Sequence, residues 1–243
     1  MLLNNERPGY APLTPQWVKG RLDLFHDTTL KSLLNQSFQD FRIWAICGQN
    51  NLDVTRGYGW HERVEPMYDK GEAALAGIDT EYVAVTRIDS DDLMHRDGMG
   101  EVHDRLDFAN PGRVLVFRDN LAWNRLNGYI GYYYRTSPPF FTQLYPKKQH
   151  RDWVAFRGRF YVPHGKSGGR NSDAIVLGKH KICRVRHGEN FGFGKRNKKE
   201  PIMPEEWKQK RLEAGDIITC DPVEMRKILS DFGLDAYGNE AKD

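Results

Sequence analysis

The chain has 243 residues, of which 39% are hydrophobic, with twelve Phe, eleven Tyr and six Trp; that is enough to bury a substantial core, and it excludes wholesale disorder. A formal charge of +3 is too small by itself to argue for a nucleic-acid binder, and Cys47, Cys183 and Cys220 form no C-x-x-C pair, so neither a zinc knuckle nor a disulfide framework is suggested. No run approaches the roughly 18 apolar residues of a membrane helix, and the start MLLNNERPGYAP has no signal-peptide pattern, so a reducing, cytoplasmic setting is expected.

Leu2 and Leu3 leave room for a very short first strand. Thr14-Pro15 then reads as an N-cap followed by Pro at the first helical position. Val18, Leu22, Phe25, Thr29 and Leu33 recur at three- and four-residue steps, predicting one helix face that runs to about Asn35 and packs on a sheet. FRIWAIC (41–47) and YVAVTRI (82–88) are nearly continuous apolar runs and read as buried strands, with GEAALAG (71–77) between them as a short helix. Strand, helix, strand, helix, strand is most simply a parallel sheet with right-handed crossovers, in which ligands bind beyond the carboxyl ends of the strands.

A helix is expected around Met94 to Phe108. VLVFRDNLAWNRLNGYIGYYYR (114–135) holds two strand-like runs joined at Asn127-Gly128, a hairpin signal, so the second half reads as more antiparallel. RGRFYVP (157–163) and DAIVLG (173–178) add short strands around the Gly-rich GKSGGR (165–170). That loop fails the Walker pattern, because position 160 is Phe where Gly is needed. It is either a loop over a ligand or a surface turn. FGFGK (191–195) and the basic GKRNKK (194–199) can touch phosphates or an anionic acceptor, or form a solvated loop. PEEWKQKRLEAG (204–215) predicts a helix from Pro204 to Gly215. DPVEMRKILSDFG (221–233) predicts another with Asp221 as N-cap, Glu224 at the capping-box position and Gly233 past its end. The expected whole is a single α/β domain ending in C-terminal helices (201–243).

The chemistry concentrates in TRIDSDDLMHRDG (86–98), where Asp89, Asp91 and Asp92 crowd the end of a strand. If the backbone stays extended, Asp89 and Asp91 point the same way, with Ser90 opposite, and present two hard oxygen ligands suited to magnesium or manganese. Alternatively the acids form a turn in which Asp92 caps the next helix. Arg87 either offsets these charges or contacts a diphosphate.

Three phrases occur in an order that resembles one family. Ser32-Leu33-Leu34-Asn35-Gln36-Ser37 leads into Asp40-Phe41. Thr86-Arg87-Ile88-Asp89-Ser90-Asp91-Asp92 precedes His95-Arg96-Asp97. His187-Gly188-Glu189-Asn190 follows a short strand. The set resembles GT-A glycosyltransferases, in particular the rhamnosyl transferase family. The resemblance implies a Rossmann-type, mainly parallel central sheet flanked by helices, with a nucleotide-sugar-binding half (1–110) and an acceptor-side half (111–200). It implies a metal-dependent transfer from a nucleotide-diphosphate sugar with Mn2+ or Mg2+ as cofactor. Asp91 would be the principal metal ligand, Asp89 would lie near the donor ribose or the metal, and His187 would reach the metal or the donor diphosphate. Arg87, Asp92 and Asn190 belong to the same donor-binding phrases. An inverting transfer would need a carboxylate base, for which Asp173, Glu189 and Asp152 are candidates that no spacing separates. The acceptor, whether glycan, small molecule or nucleic acid, is left open. So are two rivals: a nucleotidyltransferase on the same scaffold, and a non-catalytic nucleic-acid- or glycan-binding protein.

Overall fold

The computed structural model describes residues 14–48, 51–68, 77–135, 140–146, 174–187 and 203–235. The expected strand at Leu2 and Leu3, the body of GEAALAG, the RGRFYVP strand and the GKSGGR, FGFGK and GKRNKK segments lie outside these residues.

The first helix starts as its sequence dictates. The Thr14 hydroxyl accepts from the Trp17 N–H at 3.2 Å, and α1 spans Pro15–Phe25 with Val18, Leu22 and Phe25 buried. The expected run to Asn35 is continuous but not uniform, because one wide π turn, His26–Leu30, separates α1 from α2 (Lys31–Leu34). The Thr28 hydroxyl donates back to the Leu24 carbonyl at 2.6 Å within that turn. Such bulges rotate the face a helix presents, and here Thr28, Thr29 and Leu30 become buried.

Strand β1 (Ile43–Ile46) pairs in parallel with β2 (Val64–Met67), and the crossover between them carries α3 (Leu52–Arg56). Pro66 hides β2 from a sequence reading, since proline lacks a ladder donor; it is tolerated because, among the described residues, β2 is an edge strand paired only with β1. These strands share a core with α1 and α2.

Elsewhere the described sheets are mixed and short rather than one mainly parallel sheet. Strand β3 (Tyr82–Arg87) pairs antiparallel with β8 (Phe141–Pro146), which also takes β5 (Val114–Val116) antiparallel; β5 in turn pairs in parallel with β9 (Ile175–Val176). A five-stranded sheet runs β11 (Ile217–Thr219), β7 (Tyr129–Tyr134), β6 (Asp119–Asn124), β10 (Ile182–Arg186) and β4 (Leu93–Met94), parallel only between β6 and β10. The break at Phe117-Arg118 lets one apolar run feed both sheets. The hairpin between β6 and β7 forms as predicted, with Gly128 at φ +60 and the Asn124 side chain accepting from the Asn127 N–H at 2.9 Å. Strands β1 and β3 line a common cavity of about 650 Å³ instead of pairing with each other.

Met94 belongs to β4, so the helix expected from Met94 to Phe108 shortens to α4 (Gly98–Asp104). The C-terminal helices follow their signals. α5 (Glu205–Glu213) starts after Pro204, and Gly215 takes φ +74 beyond its end. α6 (Pro222–Ser230) is capped by Asp221, which accepts from the Val223 and Glu224 N–H groups. Leu229 and Phe232 close the core of the five-stranded sheet. Among the described residues no helix is long and apolar enough to cross a membrane.

Candidate functional site

Strand β3 ends at Arg87, and the chain then turns instead of staying extended. The Asp92 N–H donates to the Asp89 carbonyl at 3.3 Å, closing a turn over Ser90 and Asp91. The alternation expected of an extended backbone is therefore lost. Asp89 stays partly exposed beside Arg87, whose Nη2 lies 3.5 Å from its Oδ1, while Ser90 and Asp91 both face inward toward one partner.

That partner is Arg21, a residue no motif marks. Its Nη1 donates to Asp91 Oδ2 at 3.1 Å and its Nη2 to Ser90 Oγ at 2.6 Å. The signal was present in the helix period: Arg21 falls between Val18 and Phe25 on the buried stripe of α1, where a permanent cation requires an acid. On the other side His187, just past β10, places Nε2 3.0 Å from the same Asp91 oxygen and 3.4 Å from Arg21 Nη1. Arg21, Ser90, Asp91 and His187 are all buried.

The two inward acids differ in role. Burial alone would raise the Asp91 carboxyl, but the hydrogen bond with His187 and the charge and hydrogen bond of Arg21 outweigh it, holding the group well below the usual carboxylate range. Asp92 moves the opposite way. Burial first, and then the charges of Asp91 and Asp89, push it well up. It does not cap a helix. Its Oδ1 accepts from the Val185 N–H at 2.8 Å, standing in for a ladder carbonyl where the two-residue β4 stops short along β10. Asp92 is thus a strand-end brace, not a ligand facing the site.

Helix α2 explains why the first phrase reads as it does. The Thr29 hydroxyl, turned inward by the π turn, donates to the Asp92 carbonyl at 2.8 Å. Ser32 Oγ accepts from the Met94 N–H at 3.1 Å. The Gln36 amide donates to the carbonyls of Met94 and His95, and its Oε1 accepts from the Met99 N–H at 2.9 Å. The Ser37 N–H donates to the Arg96 carbonyl at 2.7 Å. The first phrase therefore grips the segment from Met94 to Met99 that follows the acidic turn, and His187, the described residue of the third phrase, meets the turn at Asp91.

As metal donors, Asp91 Oδ2 and His187 Nε2 have a suitable separation. Two neighbouring ligands of an octahedral ion at about 2.1 Å stand about 3 Å apart. Asp89 is not with them, and among the described residues no group of three His, Cys, Asp or Glu side chains is set to hold a metal ion. An ion held here would draw its remaining ligands from water and substrate. Glu189 and Asn190 of the third phrase, and the candidate bases Asp173 and Asp152, lie outside the described residues. The cavity between β1 and β3 is separate from this cluster and is bounded by side chains such as Trp44, Tyr82, Val85 and Met99.

No protein-family model matches the chain, and no curated protein matches it. The family resemblance accordingly rests on the three sequence phrases alone.

Proposed function

We propose that the protein is a metal-dependent glycosyltransferase on a GT-A-like scaffold, moving a sugar from a nucleotide-diphosphate donor to an acceptor hydroxyl. The observation that carries this reading is the 3.0 Å approach of Asp91 and His187 across 96 positions of sequence, at the strand end where the acidic phrase leaves β3. A buried carboxylate kept ionised and an imidazole sharing one edge form a mixed oxygen–nitrogen donor pair. One or two protein ligands completed by substrate phosphates is a common way of holding magnesium, and manganese accepts similar ligands.

When bound, Mn2+ or Mg2+ would act as a Lewis acid on the leaving diphosphate. The chain's own residues have distinct tasks. Asp91 and His187 would hold the ion. Ser90 and Arg21 fix the orientation of the turn, so that the carboxylate is preorganised before donor arrives. Asp92 and Thr29 brace that turn from behind through Val185 and the loop carbonyl. Arg87 and Asp89, at the partly exposed lip, are placed to meet the diphosphate or the ribose.

The test is calorimetric titration of the full chain with a panel of nucleoside diphosphates and nucleotide sugars, with and without Mn2+, alongside Asp91→Asn. Metal-dependent binding to one base, lost in a variant whose circular dichroism is unchanged, is the expected result. A folded protein that binds none of the panel, with or without metal, defeats the reading. Sugar transfer without synthesis of nucleotide sugar separates glycosyl from nucleotidyl transfer.

A further inference from the structure

Arg21 is a poorly satisfied cation for so buried a position. Its side chain is only 9% exposed, and a guanidinium remains charged at any pH a protein meets. Burying it calls for acceptors at all its donors. A bidentate arginine–carboxylate pair would supply two parallel bonds. Here Nη1 has one oxygen of Asp91, which it shares with His187; among the described residues Nη2 has only the neutral Ser90 hydroxyl, and the guanidinium carbon lies 5.9 Å from the Trp17 ring, which supplies no hydrogen-bonding oxygen. The Nε–H is buried with no acceptor among the described residues.

The position of Nη1 matters more than the count. It lies 3.1 Å from Asp91 Oδ2 and 3.4 Å from His187 Nε2, so a divalent ion shared by those two atoms would stand close beside this cation whichever side of the pair it took. If Nε2 donates to Asp91, it cannot also accept from Arg21, so that second approach is a contact without a hydrogen bond. Two cations so close in a buried site repel strongly. We propose that Arg21 is the resident cation of the site: it keeps Asp91 and His187 together in the metal-free protein, yields Asp91 to an entering divalent ion, and then pairs with an anionic oxygen of the donor diphosphate. This rests on the reading of the cluster as a metal-dependent donor site.

The energetic consequence is a coupling between metal and diphosphate. Metal alone must displace a buried guanidinium and leave it without a counter-charge, so it binds weakly. A diphosphate supplies the replacement anion, and each ligand then raises the affinity of the other by the same factor. A static structural ion pair predicts no such coupling.

The deciding experiment measures Mn2+ binding by electron paramagnetic resonance of the free ion. It compares the full chain with Arg21→Met, each alone and with UDP or GDP as probe. The wild type is expected to bind Mn2+ about tenfold more tightly with the diphosphate than without it, within the usual range of linkage between sites. Arg21→Met is expected to bind Mn2+ alone about tenfold more tightly than wild type, and to lose most of the diphosphate enhancement. Ser90→Ala, which frees Nη2 while keeping the charge, should shift metal affinity the same way by a smaller factor, and it decides the matter if Arg21→Met does not fold. Mn2+ affinity that is unchanged or weakened in folded variants overturns the inference while leaving the donor-site reading intact. Failure of Mn2+ to bind any of these proteins, with or without diphosphate, overturns both.

Discussion

Asp92 illustrates how one carboxylate among several can be structural. It is 3% exposed, stands beside Asp91 and Asp89, and accepts from the Val185 N–H. Asp92→Asn keeps that acceptor and removes a carboxyl whose ionised form burial and its acidic neighbours disfavour, so it should stabilise the metal-free protein at neutral pH by about 1 kcal/mol, read from urea melts. A loss of stability there would mean the charge itself is needed. Cys47 gives a pH signature far from the site. Burial pushes its thiol up to about 12, whereas an unfolded thiol titrates near about 8.5. A group whose folded value is raised contributes stability that is complete below the unfolded value and is lost as pH climbs toward the folded one. Stability should thus fall between pH about 8.5 and about 12, and Cys47→Ala should make that decline shallower; parallel slopes would remove Cys47 from the account. Sequence singled out Asp91 and His187 because they sit in recognisable phrases. Arg21 sits in none, and only the rule that a buried arginine needs an acid could have found it.

At the level of elements, the first phrase works as a clasp. Gln36 is 4% exposed, and its side chain serves the Ser32, Met94 and His95 carbonyls and the Met99 N–H. Gln36→Ala strands these groups out of water, so a cost of about 2 to 3 kcal/mol is expected from denaturant melts, with faster amide exchange at Met99. A cost under half of that would show that water replaces the amide. Helix ends were legible wherever a side chain writes them locally, as at Thr14, Asp221 and Gly215. The π turn was not, because weak helix formers such as His, Asp and Thr in HDTTL do not specify the width of a turn, and Thr29 makes its contacts with a loop 60 residues away. Strands were visible as apolar runs, yet their partners were not. Pairing β3 with β8 depends on which edges remain free after the chain has turned back, and β2 was masked by Pro66.

Across the whole molecule, a mixed α/β architecture was readable from the order of apolar runs, and the division of the described strands into three short sheets was not. The two-stranded and five-stranded sheets each have a buried cluster, and a third cluster joins Leu115 of β5 to Met94 of β4 and Ile182 of β10. Arg21 comes from the helix over β1 and β2, Asp91 from the exit of β3, and His187 from the end of β10, so one ionic contact joins parts of all three layers. A seam of this kind is strongly conditional: removing one charge leaves the other buried without its opposite number across the seam, whereas removing both leaves neither. Arg21→Met and Asp91→Asn should each destabilise the fold by about 3 kcal/mol, while the double variant should cost less than their sum by about 1 to 3 kcal/mol. Additive losses in urea melts would show that the two side chains are stabilised independently by their other neighbours. A coupling of the expected size would make this contact the tie between α1 and the end of β3, and would set the free energy that an entering ion and diphosphate together must offset to draw Asp91 away from Arg21.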